Sequence, residues 1–344
     1  MAESITRGGE IYFIGERDLI EGQRTSYVKI GLTRDDRASE ERQSDHQTGN
    51  PRELFLHHAE KVVMVQTVEK ALHWHYAERR VAGEWFFLED HRLAASIEMC
   101  RILGAKLLEH VPAVTLAERL ENVLSHGEPK IPDDISLEWW RKHQIAHHII
   151  TACDELIERY DSALDDERLK GNDISDLAQR KPRVSPHFDE KGFREKYPDI
   201  WTSHLGEPVV KGRFTVTSFS NDLSSEPEIV EIQPVLDSFG RIIDEFRAGN
   251  VSPKDLKKSY LRVFSQTEYQ KTRKDLARHY LMSLCGESPG IVGVCKWKRS
   301  QTDGKLDRSS LRSAEPEKTA EFTTFRESEV LVRSRRAGSA AADD

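Results

Sequence analysis

Short apolar runs set between long polar stretches open the chain. Residues 10 to 14 (EIYFI) and 26 to 30 (SYVKI) are rich in β-branched and aromatic side chains and predict two strands. The polar stretch GERDLIEGQRT between them carries two glycines, so the pair reads as a hairpin with a long connection. The polar segment LTRDDRASEERQSDHQTGNP follows and ends in the turn-forming Gly49-Asn50-Pro51. Its middle, Ser39 to His46, predicts a short helix with Ser39 as N-cap. Residues 54 to 66 (LFLHHAEKVVMVQ) are apolar and β-branched enough for a third strand.

Thr67 is the expected cap of a second helix that ends at Gly83. Val68, Leu72 and Tyr76 repeat at i, i+4 and i+8 and point to the core. Glu69 and His73 share a neighbouring stripe, one turn apart. Residues 84 to 88 (EWFFL) close the unit as a short strand. The expected fold is α+β, a three-to-four-stranded antiparallel sheet with flanking helices over residues 1–90.

From Asp90 the pattern turns helical, giving a helical region over residues 91–164. Leu93, Ile97, Ile102 and Leu103 are among the apolar positions of its first helix. Thr115 with Glu118 predicts a capping box, and a long helix is expected from Ser136 to about Arg159. Residues 165–205 are polar and carry Pro182 and Pro186, so they read as linker or irregular chain. A recognition or interaction domain is expected over 206–305, with a strand at 209–219, three helices between 233 and 284, and a strand at 291–297. Residues 306–344 have few large apolar groups and are expected to lack a packed core, with GSAAADD at the end disordered. There is no internal repeat.

Composition narrows the class. With 344 residues, 37% hydrophobic and 32% charged, the chain suits a protein of two or three domains with polar surfaces. No apolar run approaches the roughly 18 residues a bilayer requires, and MAESITRGGE lacks the apolar centre of a signal peptide. A cytoplasmic location without a membrane partner is therefore expected. Cys100, Cys153, Cys285 and Cys295 are too widely spaced for a zinc site and are expected as reduced, buried thiols. A net charge of -8 argues against non-specific coating of nucleic acid, but not against a local basic contact surface.

Ile11-Tyr12 followed by Lys29-Ile30-Gly31 resembles the paired motif of the GIY-YIG nucleases, in the bacteriophage-type branch whose second motif reads K-I-G. Arg42, Gln47-Thr48-Gly49-Asn50-Pro51, the Glu69/His73 pair and Gly83-Glu84-Trp85-Phe86 follow in that order, and the resemblance covers residues 10 to 90. It implies a metal-dependent endonuclease acting on DNA, in a setting of phage or bacterial conflict. Glu69 would hold Mg²⁺ (or Mn²⁺), a hard cation that accepts one carboxylate with water and phosphate oxygens. Arg42 would contact the scissile phosphate through its planar fork of donors. Tyr12 would act near the attacking water as base or orienter. Lys29 stands where the founding motif has tyrosine, and reads equally as base or phosphate ligand. Tyr27, on the same strand face, is a second candidate phenol, and His73 would donate a proton or orient the phosphate. The asparagine many family members carry near the domain end has no counterpart.

Simpler readings stand beside these. Tyr12 taken alone suits a core aromatic, Glu69 a charge favoured near a helix N-terminus, and Arg42 a solvated helix face, with Arg37 competing for its role. His73 and His75 point to different helix faces, which disfavours zinc. Gly83-Glu84-Trp85-Phe86 reads as structural. Trp139-Trp140 suits a helical contact better than base stacking. Residues 254 to 299 are the most basic stretch and interleave Lys271, Arg273 and Lys274 with aromatics. They form the candidate DNA-recognition surface, or else a solvated helix pair. The helical remainder is also the expected site of a partner protein or a second copy of the chain. Two rival functions remain open: a nucleic-acid-binding or assembly module that has lost catalysis, and a nuclease for RNA or a structured substrate.

Overall fold

The computed structural model describes residues 4–34, 38–48, 50–171, 174, 177–218 and 223–333. Arg37, Gly49 and the terminal GSAAADD lie outside the described residues. The N-terminal unit is α+β. Strands β1 (Gly9–Arg17) and β2 (Arg24–Arg34) form the hairpin, followed by helix α1 (Ser39–Gln47), strand β3 (Leu54–Val62) and helix α2 (Val65–His75). A 3₁₀ turn at Ala77–Arg79 leads into β4 (Arg80–Ala82) and β5 (Trp85–Phe87). The sheet has five strands in the order β3-β1-β2-β5-β4, and every neighbouring pair is antiparallel.

Alternation within the strands builds two layers. Ile11, Phe13, Val28 and Ile30 point to one side and pack with Val68 and Leu72 of α2, and with Leu93 and Cys100 of the next helix. Tyr12 and Ile14 point to the other side and pack with Leu54, Leu56 and Trp85, where α1 crosses β3, β1 and β2. One face therefore carries the main core, and the other is left for polar chemistry.

Four local features depart from the expectations. The second helix stops at His75 rather than Gly83, and Arg80–Ala82 joins the sheet because Gly83, at φ 54°, makes a tight β4–β5 turn. That fifth strand exceeds the three or four expected. The helix also starts at Val65, before Thr67, from a buried Met64 held at φ 49° by its apolar surroundings. Ser39 is not the cap of α1. Ala38 takes that place, and the Ser39 N–H and hydroxyl both donate to Glu10 Oε2, at 3.2 and 2.7 Å.

The remainder is mainly helical. It contains α3 (Asp90–Leu108), α4 (Val111–Leu120) and α5 (Asp134–Leu169), then β6 (Ala178–Phe188), α6 (Glu190–Lys196), α7 (Pro198–Ser203), β7 (Val209–Lys211) and β8 (Thr215–Val216). Next come α8 (Pro227–Arg247), α9 (Pro253–Cys285), β9 (Gly290–Ile291), β10 (Cys295–Lys296), β11 (Ser300–Thr302), α10 (Arg308–Ala314), α11 (Pro316–Glu321) and β12 (Thr323–Arg333). Helix α4 starts at Val111, with Pro112 in its first turn, rather than at Thr115. Helix α5 begins with an Asp133–Ser136 capping box and runs ten residues past Arg159. Two helices, not three, occupy 227–285, because α9 continues unbroken.

The largest core lies where α5, α8 and α9 meet, around Tyr160, Phe239, Ile243 and Tyr260. The segments read as linker and coreless tail pair with each other: β6 and β12 form a ribbon over eleven residues. Arg180 with Asp165, and Arg333 with Asp161, tie this ribbon to α5. The four cysteines are free and buried, as expected. Among the described residues no helix is long and apolar enough to cross a membrane.

Candidate active site

The second motif owes its glycine to packing. Tyr12 lies opposite Gly31 in the β1–β2 register. A Cβ on Gly31 would fall 2.4 Å from the Tyr12 Oη and 2.5 Å from its Cζ, so the phenol ring rests on bare backbone. Tyr12 is buried, and its hydroxyl lies 3.2 Å from His46 Nε2. Burial raises its pKa well above the ordinary phenol range, and the nearby Glu84 and Glu69 charges add to this, while Arg42 opposes them.

Lys29 sits two residues before Gly31 on the same strand face. Its Nζ is 2.8 Å from Glu84 Oε2. Glu84 occupies the β4–β5 turn, where its carbonyl accepts the Ile30 N–H at 3.0 Å and anchors the turn to β2. Helix α1 supplies two groups one turn apart, Arg42 and His46, and the Ser39–Glu10 bonds fix its start beside β1. Arg42 Nη1 is 3.6 Å from Asp45, and its buried Nε has no hydrogen-bond partner among the described residues. Burial and the Lys29 and Arg42 charges lower the His46 pKa to about 4, so its imidazole is neutral near pH 7. At the end of α1, Gln47 staples the chain back to β3. Its amide donates to the Asn50 and Arg52 carbonyls and accepts the Leu54 N–H at 2.7 Å.

Helix α2 brings Glu69, which is 6% exposed. Burial pushes its pKa up to about 7, and the Glu84 charge pushes the same way, while Lys70, with Nζ at 3.6 Å, opposes. His73 comes one turn later, but its Nε2–H donates to the Ile30 carbonyl at 2.9 Å. Burial first, and Arg80 second, hold that imidazole far below its usual pKa. It is a neutral pin between α2 and β2.

Of the residues singled out in the sequence, Tyr12, Lys29, Arg42 and Glu69 thus come together, and His73 lies behind them. Two further members were missed. His46 was legible as the i+4 neighbour of Arg42, and Glu84 as the acid directly after the Gly83 turn, although that segment reads as purely structural. Tyr27 packs edge-on against Phe87, with ring centroids 5.6 Å apart, at a half-exposed position. The basic residues of α9 lie elsewhere. Arg273 is paired with Glu228, Lys271 Nζ lies 3.0 Å from Glu268, and Lys274 Nζ lies 3.3 Å from His147 Nδ1. Trp139 stacks on Tyr280 at 3.7 Å. Helix α9 does flank the site from one side: Arg80 Nη1 donates to Ser265 Oγ at 2.6 Å, and Arg262 pairs with Glu78 at 2.7 Å.

The donor set suits a hard cation with few protein ligands. No group of three or more His, Cys, Asp or Glu able to hold a metal occurs among the described residues. Glu69 and Glu84 interact electrostatically, and a pair of carboxylate oxygens completed by water is an arrangement Mg²⁺ accepts. Zinc would require a fuller set of nitrogen or sulfur ligands.

Residues 9–101 match the T5orf172 domain family. This is a phage-associated, nuclease-like domain, and its span holds every residue of the cluster. The match covers less than half of the chain. No curated protein and no solved structure matches it.

Proposed function

We propose that the N-terminal domain is a Mg²⁺-dependent endonuclease of the GIY-YIG type, with Lys29-Ile30-Gly31 as its second motif, hydrolysing DNA phosphodiester bonds. The observation that carries this reading is the grouping of Tyr12 and Lys29 on one face of the sheet with Arg42 and His46 of α1, with Glu84 paired to Lys29 and Glu69 of α2 within electrostatic reach of Tyr12, Lys29 and Glu84. Keeping a carboxylate as buried as Glu69 costs stability, and such perturbed groups concentrate at functional sites.

Each group then has a task. Glu69, with Glu84 beside it, would hold the metal. When bound, Mg²⁺ supplies Lewis-acid polarisation of a phosphoryl oxygen and neutralises developing charge. Arg42 would contact the same phosphate through its planar fork of donors. The raised pKa of Tyr12 keeps its phenol protonated near pH 7, so it orients rather than abstracts. The neutral His46 imidazole, in reach of that phenol, accepts the proton as water oxygen bonds phosphorus and the ester oxygen departs. Lys29, already paired with Glu84, balances the carboxylates. His73 positions α2 and transfers nothing.

One observation favours a second reading, a nucleic-acid-binding or assembly module without catalysis: the Lys29–Glu84 ion pair engages the second carboxylate. Incubating matched DNA and RNA duplexes with the wild-type chain and Arg42→Ala in Mg²⁺ separates the readings. Cleavage of DNA that Arg42→Ala loses supports the nuclease. Cleavage of RNA alone reassigns the substrate, and binding of DNA without cleavage by either protein supports the module.

A further inference from the structure

The β6–β12 ribbon takes no part in the proposed active site. Its strands pair from Ala178 opposite Arg333 to Phe188 opposite Thr323. Side chains alternate across such a pair, so each face takes every second residue of both strands. Packing fixes which face is inner. Ala178 is buried, and Leu331 packs on the core shared by α5, α8 and α9. The same alternation carries Arg180, Glu327 and Glu329. Asp165 and Asp161 hold the two cations of this inner face, Arg180 and Arg333.

The outer face differs in charge. It presents Lys181, Arg183 and Arg326, all exposed. Lys181 lies opposite Val330, Arg183 opposite Ser328 and Arg326 opposite Ser185, and no carboxylate shares the face. Among the described residues none of the three cations has an ion pair; Glu329 turns instead to Arg180, at 3.8 Å. Two residues along a strand span roughly 7 Å, so the cations form a diagonal row roughly 14 Å long.

A row of unpaired cations on a chain of net charge -8 complements a polyanion. Shape selects which one. The major groove of duplex DNA, about 12 Å wide, admits a two-stranded ribbon, whereas that of duplex RNA is too narrow and deep. With one phosphate per roughly 3.4 Å of rise on each strand, the row passes about four of them. A partner that adds a strand fits less well. Proline is tolerated in a strand where its nitrogen faces away from the pairing, so Pro182 and Pro186 blunt the free edge of β6.

We propose that the outer face of the β6–β12 ribbon binds duplex DNA, with Lys181, Arg183 and Arg326 on backbone phosphates along a groove. Phosphate contacts of this kind set position rather than sequence, so the ribbon holds the duplex for the N-terminal domain. The inference rests on DNA as the substrate in the reading above, but its test requires no cleavage.

Fluorescence anisotropy of a labelled DNA duplex with the full chain in chelator, from about 50 to about 200 mM salt, tests the proposal. Each phosphate contact contributes about 0.9 to the slope of log affinity against log salt. Lys181→Ala/Arg183→Ala/Arg326→Ala should therefore bind about tenfold or more weakly, with a slope lower by about two to three. Arg183→Lys/Arg326→Lys keeps the charge and should bind within about threefold of wild type. Glu327→Gln/Glu329→Gln, on the inner face, should bind as tightly or more so. All these side chains are exposed, so the variants leave the cores intact. Wild-type affinity in the triple variant overturns the proposal, as does duplex RNA bound as tightly as DNA, or no binding of duplex DNA by the wild type. So does an equal loss in Arg241→Ala/Lys254→Ala/Lys258→Ala, which removes the same charge from exposed positions on α8 and α9. Cleavage by the wild type with unchanged binding by the triple variant would sink the ribbon alone. Ribbon-dependent binding without cleavage would sink the nuclease reading alone.

Discussion

Replacing Glu69 with glutamine should make the protein more stable at pH 8 while abolishing its proposed activity. In the folded chain burial raises this carboxyl from 4.5 to about 7. The native state therefore holds a proton that the unfolded chain releases between those values, and stability falls as pH rises through that window. Two and a half pH units at 1.36 kcal/mol each amount to about 3 kcal/mol of lost stability above pH 7. Glutamine keeps the shape and removes the charge, though its buried amide loses some solvation, so a gain of about 1–3 kcal/mol is expected. Urea unfolding at pH 8 and pH 4 measures it. The variant should have the higher midpoint at pH 8, and the two proteins should converge at pH 4, where both side chains are neutral. Mg²⁺ at pH 8 should raise the wild-type midpoint and leave the variant unmoved. An equal difference at both pH values, or a variant less stable at pH 8, would refute the electrostatic origin of the effect.

Other perturbations follow from the same geometry. Gly31→Ala places a methyl 2.4 Å from the Tyr12 hydroxyl, so the ring must move; a loss of about 1–3 kcal/mol in thermal or urea unfolding is expected, with cleavage falling in parallel. His46→Ala should slow cleavage by about a hundredfold or more. Because the His46 pKa is lowered to about 4, its protonation should inhibit the wild-type rate only below about pH 5, and a rate limited by a group titrating near 6.5 would contradict its assignment. Ser265→Ala removes the acceptor for Arg80 between α9 and the N-terminal sheet. Such a buried charged bond is worth about 1.5–3 kcal/mol, and unfolding of the variant should show it.

What the sequence made legible tracks the range of the interaction. The β1–β2 hairpin, the start of α3 and the β5 strand follow from local periodicity, and the structure has all three. The alternation that buries Ile11 and Phe13 on one side puts Tyr12 on the other, so the layering is also readable. Strand β4 was hidden because VEKALHWHYAERRV is a good helical pattern to its end; only the turn at Gly83 and the pairing of Arg80–Ala82 with β5 override it. The β6–β12 ribbon joins segments more than a hundred residues apart. Its side chains are largely exposed, so neither half shows a buried alternation that would mark a strand. The site shows the same division. Arg42 and Glu69 emerged from motif order, but His46 and Glu84 gain their meaning only through Tyr12 and Lys29, which fold against them. The basic stretch on α9 shows the same dependence on the fold: Arg273 is cationic in the sequence and paired with Glu228 in the structure.

The most direct test of the nuclease assignment is nicking of supercoiled plasmid in Mg²⁺ by the wild-type chain and Glu69→Gln, with DNA binding of both measured alongside. The account predicts cleavage by the wild type, none by the variant or in chelator, and comparable binding by both. Equal cleavage by the two proteins, or binding without cleavage by the wild type, would contradict it.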